Sequence, residues 1–479
     1  MADLISVFMD TAVRAGSRPA LVDGTGSVIG FTALTARASA FAGRLNAMGI
    51  GKGDRVLIAM PVGIDLYIAL AGAWSVGAVV VFPEPALGLS GLNHALKMTH
   101  PVAFLASGPY RWLHFLVPTL WGLARATPSA RDKGYGPFVP LASDDLALIS
   151  FTSGSTGAPK AIPRSHGFLM AQRDAVTPLL GQSTDTVDLV AFPMFVLPNL
   201  AAGRTSILPA WSMRNQGTVT GPALASWIER TSATRLLLPP ALCEALATHN
   251  VPSRVTDVFT GGGPVFPDIV DALRHRRDDL RVVSVYGSTE AEPIAELNAD
   301  DVTDSDRIAM SQGHGLLAGY PVETIHLRIV DDEIQVAGEH VNKGYLNPAR
   351  DAENKIREGG TVWHRTGDAG RLDAHGRLWL LGRLTAIASH DNGTIYPFSV
   401  ETAARSWAGV RCAALCRSGD RLALAIEGDS RKLPHWRIQA GALGIDVVRH
   451  VTRMPMDRRH RSKVDYAALA TVLRRSHGQ

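Results

Sequence analysis

Short apolar runs alternate with helix-like stretches through the first part of the chain. Residues 56–60 and 78–82 have the β-branched, apolar composition of buried strands, and residues 65–76 between them predict a helix. Residues 92–99 then predict a second helix and residues 102–106 a third strand. Because parallel strands need a long crossover connection, this rhythm predicts an α/β fold with mostly parallel sheets covered by helices.

The pattern resumes from residue 146 and changes beyond about residue 320. There, short strands with hairpin-like turns predict a small β-barrel-like subdomain within a large N-terminal domain, residues 1–383. The stretch 384–479 has its own mixed pattern and a length that suits a small α+β C-terminal domain. The alanine-rich stretch 123–130 reads as a loose surface loop. The later strand-like runs are residues 146–151, 187–192, 235–238, 255–260, 282–286, 325–330, 333–337 and 378–381.

Composition and charge exclude several classes of protein. With 46% apolar and 19% charged side chains, the 479 residues are typical of a globular protein rather than a disordered or fibrous one. A net charge of +4 is small for this length, and the basic clusters at residues 274–277 and 458–461 lack interleaved aromatic residues. Solvated surfaces explain these clusters better than nucleic-acid contacts, so no nucleic-acid partner is expected.

One uncharged run, residues 66–82, resembles a membrane span. It is slightly shorter than the roughly 20 residues that a spanning helix needs, and it contains two glycines and stops at Pro83. A buried helix followed by a strand explains it better, so no transmembrane segment is expected. Sparse cysteines and the lack of a signal-peptide pattern at the N-terminus favour a cytoplasmic location. The cysteines are Cys243, Cys412 and Cys416.

A loop rich in glycine and hydroxyl side chains follows the strand-like run 146–151. Residues 152–160 read Thr-Ser-Gly-Ser-Thr-Gly-Ala-Pro-Lys. Glycines let backbone N–H groups approach phosphate oxygens, hydroxyl groups donate hydrogen bonds, and a lysine offsets charge. A flexible linker would rarely separate a buried strand from a helix, so the stretch predicts a polyphosphate-binding loop. Its candidate residues are Thr152, Ser153, Gly154, Ser155, Thr156, Gly157 and Lys160.

This loop resembles the signature of the adenylate-forming superfamily of acyl-CoA synthetases, peptide-synthetase adenylation domains and luciferases. Further stretches match elements of that family in the same order, which chance explains far less easily than any single match. The resemblance covers nearly the whole chain. The matching residues are Gly261, Gly262, Gly263 and Pro264, then Tyr286, Gly287, Ser288, Thr289 and Glu290, then Thr366, Gly367 and Asp368 with Gly382 and Arg383, and finally residues 454–463 with Lys463.

The resemblance implies an activity and a nucleotide site. The enzyme would join a carboxylic acid to AMP from ATP and release pyrophosphate, with the loop holding the β- and γ-phosphates. Residues 261–264 would pack against adenine and Tyr286 would stack near it. Thr289 would contact the α-phosphate, and Glu290 would bind Mg²⁺, for which a carboxylate beside phosphates is a sensible ligand.

The last two elements would complete the site. By the same resemblance, Asp368 accepts hydrogen bonds from the ribose hydroxyls, assisted by Arg383. Lys463 bridges the substrate carboxylate and the α-phosphate and is the catalytic lysine. The small domain, which is mobile in the family, would rotate about a hinge near Leu384 and Thr385 between two half-reactions.

Departures from the family bear on the second half-reaction. Thr385 stands at the hinge, Ser389 where CoA-using members have a lysine, and Ser462 where a glycine is common. These departures count against standard thioester formation. Residues 192–195 and 457–463 instead resemble the β-lactone synthetases of bacterial olefin biosynthesis, as does the stretch 362–368. In that subgroup the hydroxyl of an adenylated 3-hydroxy acid displaces AMP and closes a lactone without CoA.

The acyl pocket is predicted to be lined by Phe195, Val196, Leu197 and Pro198, by residues 261–264, and by the stretch around Ser288 and Ala291. Apolar residues without an obvious charged anchor favour a fatty or 3-hydroxy fatty acid over an amino acid, although Glu292 and Glu296 stay open as anchors. The departures also suit a ligase that passes the acyl group to a carrier protein or an amine, and a conventional acyl-CoA synthetase stays open. A nucleotide sensor and a membrane-associated scaffold are the non-enzymatic alternatives.

Overall fold

The computed structural model describes residues 3–83, 87–152, 159–390, 393–418, 421–457 and 462–475. Its α-helices are α1 (Leu4–Ala15), α2 (Phe31–Ala47), α3 (Ile64–Ser75), α4 (Gly88–Thr99), α5 (Leu113–Leu116), α6 (His166–Leu180), α7 (Val196–Ala202), α8 (Gly221–Thr231), α9 (Pro240–Ala247), α10 (Pro267–Arg276), α11 (Asp304–Ser311), α12 (Asp351–Asn354), α13 (Pro397–Arg405), α14 (Leu433–Ala442) and α15 (Tyr466–Arg475). Its strands are β1 (Pro19–Val22), β2 (Val28–Gly30), β3 (Arg55–Ala59), β4 (Val79–Phe82), β5 (Ala103–Ala106), β6 (Ala124–Ala126), β7 (Leu146–Thr152), β8 (Lys160–Ser165), β9 (Val187–Val190), β10 (Thr205–Ile207), β11 (Arg235–Leu238), β12 (Asp257–Gly261), β13 (Arg281–Ser288), β14 (Ala291–Asn298), β15 (Leu316–Pro321), β16 (His326–Val330), β17 (Glu333–Ala337), β18 (Lys355–Glu358), β19 (Thr361–Leu372), β20 (Leu378–Arg383), β21 (Ala388–His390), β22 (Gly393–Ile395), β23 (Val410–Ser418), β24 (Arg421–Gly428) and β25 (Val447–His450).

The first sheet contains the strands predicted around residues 56–106. Its order is β6-β5-β3-β4-β7-β8, with the first five strands parallel and β8 antiparallel to β7. The uncharged run 66–82 forms most of α3 and β4, and nearly all of it is buried. Apolar residues on every side of α3 fit a helix inside a core rather than in a bilayer. The stretch 123–130, predicted as a loose loop, contains β6, because Ala126 packs into the core beside β5.

The second sheet joins the α/β part to the hairpin-rich part. Its parallel portion follows the order β1-β10-β9-β11-β12-β13, and β14, β15, β20, β19, β17 and β16 continue it antiparallel. The change from crossover to hairpin connections therefore begins between β13 and β14, near residue 290, and not near residue 320 as predicted. This arrangement brings the ends of β12, β13, β19 and β20 to one region of the large domain.

The small domain is built on β23, β24 and β25, with β23 antiparallel and β25 parallel to β24. Helices α13 and α14 pack on this sheet around the fully buried Trp436, and α15 packs against β23 through Leu469 and Leu473 in a separate cluster. The mixed α/β architecture with a large and a small domain confirms the predicted fold class. The boundary between residues 383 and 384 stays a prediction, although β20 ends at Arg383. Among the described residues, the helices are too short or too polar to cross a membrane.

Candidate active site

A cavity of about 510 Å³ lies between the large and small domains. Residues from four of the five predicted sequence elements line it, although these elements run from residue 262 to residue 463 of the chain. The predicted residues on its wall are Gly262, Gly263, Pro264, Tyr286, Gly287, Ser288, Asp368, Gly382, Arg383, Met454, Met456, Ser462 and Lys463. The predicted adenine and ribose residues and the predicted catalytic lysine therefore share one cleft.

Asp368 is held by the two predicted residues nearest to it. The register of β19 and β20 places Asp368 opposite Arg383, and Nε of Arg383 lies 3.1 Å from Oδ1 of Asp368. The hydroxyl of Tyr286 donates to Oδ2 at 2.8 Å. Burial first, and the neighbouring carboxylate second, raise the pKa of Tyr286, so the hydroxyl stays a donor. A carboxylate has further lone pairs and can still accept bonds from a diol.

The backbone around Lys463 is fixed by Asp457. Oδ1 of Asp457 accepts from the amides of Ser462 at 3.0 Å and Lys463 at 2.9 Å, and the amide of Asp457 donates to the Lys463 carbonyl at 2.7 Å. Met456 also pairs with Val464. These bonds present an exposed Lys463 side chain at the cavity from the small domain.

A close approach of two backbones seats this segment on the large domain. A Cβ atom on Gly263 would lie 2.5 Å from Cβ of Ser462, so only glycine fits at residue 263 in this arrangement. Oγ of Ser462 also accepts from the amide of Ala241 at 3.4 Å. Ser462, where the family often has glycine, thus contacts the predicted adenine-binding segment.

Glu290 is not among the described residues that line the cavity, and it belongs to a cluster centred on Tyr345. The Tyr345 hydroxyl is 3.4 Å from Oε1 of Glu290. Two lysine ammonium groups lie over the Tyr345 ring, that of Lys160 at 5.1 Å and that of Lys355 at 5.3 Å from its centroid. The carbonyl of Thr289 accepts from Nη2 of Arg164 at 2.6 Å. The structure thus joins Lys160 to Glu290 through one aromatic ring.

Lys160 is buried, and acidic and amide groups of α12 bind it. Its ammonium group lies 3.0 Å from Oε2 of Glu353 and donates to Oδ1 of Asn354. Thr152 pairs with Lys160 across β7 and β8. Lys160 therefore ties the start of β8 to α12. The other predicted loop residues, Ser153, Gly154, Ser155, Thr156 and Gly157, lie outside the described residues.

Sequence reasoning missed Lys355 and His364. The Lys355 ammonium donates to the carbonyl of Asn342 and lies 3.2 Å from Nδ1 of His364. Burial lowers the pKa of Lys355 to about 8, and burial together with the Lys355 charge lowers the pKa of His364 to about 3. The imidazole is therefore neutral, and its Nδ1 also lies 3.3 Å from the carbonyl oxygen of Asn354. No local pattern marks a lysine in a short strand as a neighbour of Glu290, so the sequence offered no signal.

The surroundings of Glu290 fit a magnesium ion that arrives with a nucleotide. Mg²⁺ is commonly held by one or two carboxylates, water and substrate phosphates, and Glu290 supplies one carboxylate next to the Tyr345 hydroxyl. No group of three or more His, Cys, Asp or Glu side chains that could cage an ion occurs among the described residues. Phosphate oxygens would therefore have to complete the coordination.

Three of the predicted acyl-pocket residues, Phe195, Val196 and Leu197, are not part of the cavity wall. Val196 is fully buried and Leu197 nearly so, and both pack in the large core, on α7. Phe195 is half-buried, with its ring 6.0 Å from that of Phe192. None of the three is among the described residues that line the cavity. Ser288, which also belongs to the predicted acyl pocket, does line the cavity, and its buried hydroxyl has no hydrogen-bond partner among the described residues.

Comparison with known proteins agrees with this geometry. Residues 8–346 match the family model described as AMP-binding enzyme. The chain therefore belongs to the AMP-binding enzyme family, whose members use ATP and form adenylates, and this confirms the resemblance seen in the sequence.

The individual relatives include a β-lactone synthetase and a CoA synthase. The chain is 31% identical over 449 residues to an olefin β-lactone synthetase of Stenotrophomonas maltophilia, with 85% of this chain and 81% of the relative covered. It is 29% identical over 443 residues to a feruloyl-CoA synthase of Amycolatopsis, covering 85% and 82%. The fold matches O-succinylbenzoate coenzyme A synthetase from Bacillus subtilis, solved with ATP and magnesium, at a TM-score of 0.78, 20% identity and coverage of 97% and 98%.

Proposed function

We propose that this enzyme adenylates a 3-hydroxy fatty acid and then closes a β-lactone with loss of AMP. The observation that carries the proposal is the shared cavity, in which Lys463 of the small domain faces the Tyr286–Asp368–Arg383 cluster of the large domain. The similarity to an olefin β-lactone synthetase over most of the chain supports the choice of second step.

In the first step, a carboxylate oxygen attacks the α-phosphorus of ATP, and the bond to the pyrophosphate leaving group breaks. Asp368 holds the ribose and Tyr286 orients Asp368, so the α-phosphate is directed toward Lys463. The Lys463 ammonium offsets the charge that two approaching anions create. Mg²⁺ on Glu290 would neutralise phosphate charge. Positioning supplies much of the rate, since no covalent enzyme intermediate is required.

In the second step, the 3-hydroxyl oxygen attacks the acyl carbon and the carbon–oxygen bond to AMP breaks. The hydroxyl proton is released, and the products are a four-membered lactone and AMP. No CoA takes part. This agrees with the loss of the usual lysine at Ser389, where CoA-using relatives of the family carry it.

The apolar part of the cavity wall supports an acyl chain as substrate. Phe266, Ile269, Phe398, Met454 and Met456 line the cavity together with the nucleotide elements. Apolar walls favour a hydrocarbon chain because burying it removes apolar surface from water. Phe266 and Phe398 belong to different domains and their ring centroids are 5.9 Å apart, so the wall is complete only when the domains are together.

Product analysis tests the proposal. The enzyme is incubated with ATP, Mg²⁺ and a 3-hydroxy fatty acid, with and without CoA, beside the matched fatty acid that lacks the hydroxyl group. We expect lactone and AMP from the hydroxy acid whether or not CoA is present, and only pyrophosphate exchange from the matched acid. A CoA-dependent thioester without lactone would instead assign a conventional synthetase.

Lys463→Ala identifies the catalytic lysine in the same assay. We expect this variant to bind ATP but to lose pyrophosphate exchange. The matched control is Lys343→Ala, because Lys343 is an exposed lysine whose ammonium group pairs with Glu339. Equal exchange in wild type and Lys463→Ala would remove Lys463 from the mechanism.

A further inference from the structure

Large apolar side chains project into solvent from the segment between β5 and β6. This segment, residues 107–123, contains the 3-10 helix Gly108–Trp112, α5 and the 3-10 helix Pro118–Leu120. Four of its side chains are more than half exposed, and we call them the aromatic surface. They are Trp112 at 57%, Phe115 at 64%, Leu116 at 67% and Trp121 at 62% exposure.

The backbone below the aromatic surface is firmly packed. Val117 and Leu120 are buried in the core formed with β4 and β7. The indole of Trp121 donates to the His114 carbonyl at 2.8 Å, and the rings of Trp112 and Phe115 are 5.7 Å apart. The segment thus buries one set of apolar residues and turns another outward. Contiguous exposed apolar side chains on a well-packed backbone are typical of a docking surface.

The charged side chains of residues 85–131, apart from histidine, are all basic. No acidic residue occurs between Glu84 and Asp132, whereas four exposed basic side chains do. The Arg111 guanidinium lies 5.6 Å from the centroid of the Trp112 ring. The basic residues are Lys97, Arg111, Arg125 and Arg131.

This combination fits the surface of an anionic bilayer. Tryptophan prefers the boundary between headgroups and acyl chains, and arginine beside it reaches lipid phosphates. Apolar area and basic charge act together in interfacial binding, since each basic residue near an anionic leaflet adds to the attraction. A surface with negative charge would be the natural counterpart, because acidic groups are absent from the whole stretch.

The sheet relates the aromatic surface to the active site. In the order β5-β3-β4-β7, all four strands are parallel, so β5 and β7 end at the same edge of the sheet. Three strand spacings separate them, roughly 14 Å. The aromatic surface begins just after β5, and the predicted phosphate loop begins just after β7. A bilayer in contact with the aromatic surface would therefore lie near the edge of the sheet at which the predicted phosphate loop begins.

We propose that the aromatic surface docks this enzyme on the surface of an anionic lipid bilayer. The protein would lie on the membrane with its tryptophan and phenylalanine rings at the headgroup boundary. This inference does not depend on which acid the enzyme activates.

Vesicle sedimentation tests the proposal. The full chain is mixed with vesicles of phosphatidylcholine and phosphatidylglycerol, or of phosphatidylcholine alone. We expect binding to the anionic vesicles that weakens in high salt, and a fall of about tenfold or more when the apolar side chains are replaced. The surface variant combines Trp112→Gln, Phe115→Gln and Leu116→Gln. The matched control replaces equally exposed apolar residues elsewhere, Val13→Gln, Ile308→Gln and Ile438→Gln.

The outcomes separate docking from catalysis and from self-association. Pyrophosphate exchange with a short, water-soluble acid should be equal in all three proteins, since the surface is outside the active site. Quenching of wild-type tryptophan fluorescence by brominated lipids decides the question even if the surface variant misfolds. Absence of quenching, equal binding by surface and control variants, or a dimer that only the surface variant disrupts would each overturn the proposal.

Discussion

Arg405 fixes the small domain to the large domain beside the cavity. Its Nε and Nη2 donate to the two carboxylate oxygens of Asp268 at 2.9 Å and 2.7 Å. The guanidinium carbon lies 4.5 Å from the centroid of the Phe266 ring, and Nη2 lies 3.5 Å from Oε1 of Glu244. Because Arg405 lies on α13 and Asp268 on α10, this bidentate pair crosses the domain interface.

We expect Arg405→Ala to slow adenylation, because it weakens the contact that holds the small domain, and with it Lys463, against the large domain. Hydrogen bonds between charged groups contribute about 1.5–3 kcal/mol each. However, the Asp268 side chain is 41% exposed, so screening by water reduces the free energy that the Arg405–Asp268 pair contributes to docking of the small domain. A total of about 2 kcal/mol corresponds to roughly thirtyfold in the population of the docked small domain. Pyrophosphate exchange should fall by up to that factor, while ATP affinity changes little because Tyr286 and Asp368 belong to the large domain.

Pyrophosphate exchange and ATP calorimetry on the same preparations measure the two effects. Arg405→Lys should retain part of the activity, since a lysine can keep one of the two bonds. Arg431→Ala is the matched control, because Arg431 is 87% exposed and pairs only locally with Asp429. If Arg405→Ala exchanges pyrophosphate as fast as wild type, the bridge does not position Lys463 and the reasoning is wrong.

Three further predictions concern buried groups. Lys355→Met should raise the KM for ATP about tenfold at unchanged exchange kcat, because it removes a cation beside Glu290; an unchanged KM would contradict this. Burial raises the pKa of Glu401 from 4.5 to about 7, so the folded state binds a proton more tightly than the unfolded state. The free energy of unfolding should therefore fall by up to about 3 kcal/mol as pH rises from 4.5 to 7. In urea titrations at several pH values, the free energy of unfolding of Glu401→Gln should not show this fall. If the values for wild type and variant change in parallel with pH, the prediction is wrong. Val196→Ala should lower stability by about 2 kcal/mol through a core cavity without changing which acid is activated; a changed preference in the exchange assay would return Val196 to the acyl pocket.

Much of the fold could be predicted because the signals are local. Strands such as β11 and β17 begin and end at the predicted residues, since β11 is a mostly apolar run, β17 alternates polar and apolar side chains, and each is followed by a proline or a glycine. The glycine-rich and acidic site elements could also be singled out from the sequence, because a Gly-Gly-Gly run or a Thr-Gly-Asp triplet is continuous in the chain, and their roles stay predictions. β6 was missed because an isolated Ala-Arg-Ala segment becomes a strand only through its neighbour β5.

Contacts between distant segments could not be predicted. Lys160 carries the charge that a phosphate loop needs, yet its partners Glu353 and Asn354 come from α12, almost two hundred positions away. Val196 has the apolar character of a pocket residue, but the same character suits a core, and only packing distinguishes the two. The interface pair Arg405 and Asp268 likewise depends on how the domains meet.

The contact between Gly263 and Ser462 offers an independent test of that domain arrangement. A methyl group on residue 263 would meet Cβ of Ser462 at 2.5 Å and the Ser462 carbonyl oxygen at 3.0 Å. Gly263→Ala should therefore slow pyrophosphate exchange by displacing the segment that carries Lys463. Adding Ser462→Gly removes the closer contact but leaves the carbonyl, so it should restore the rate only in part. Such rescue would not occur if Gly263→Ala acted on adenine binding alone, since Ser462→Gly gives the nucleotide no new contact. A double mutant as slow as Gly263→Ala would mean that the two domains do not meet in this way during adenylation.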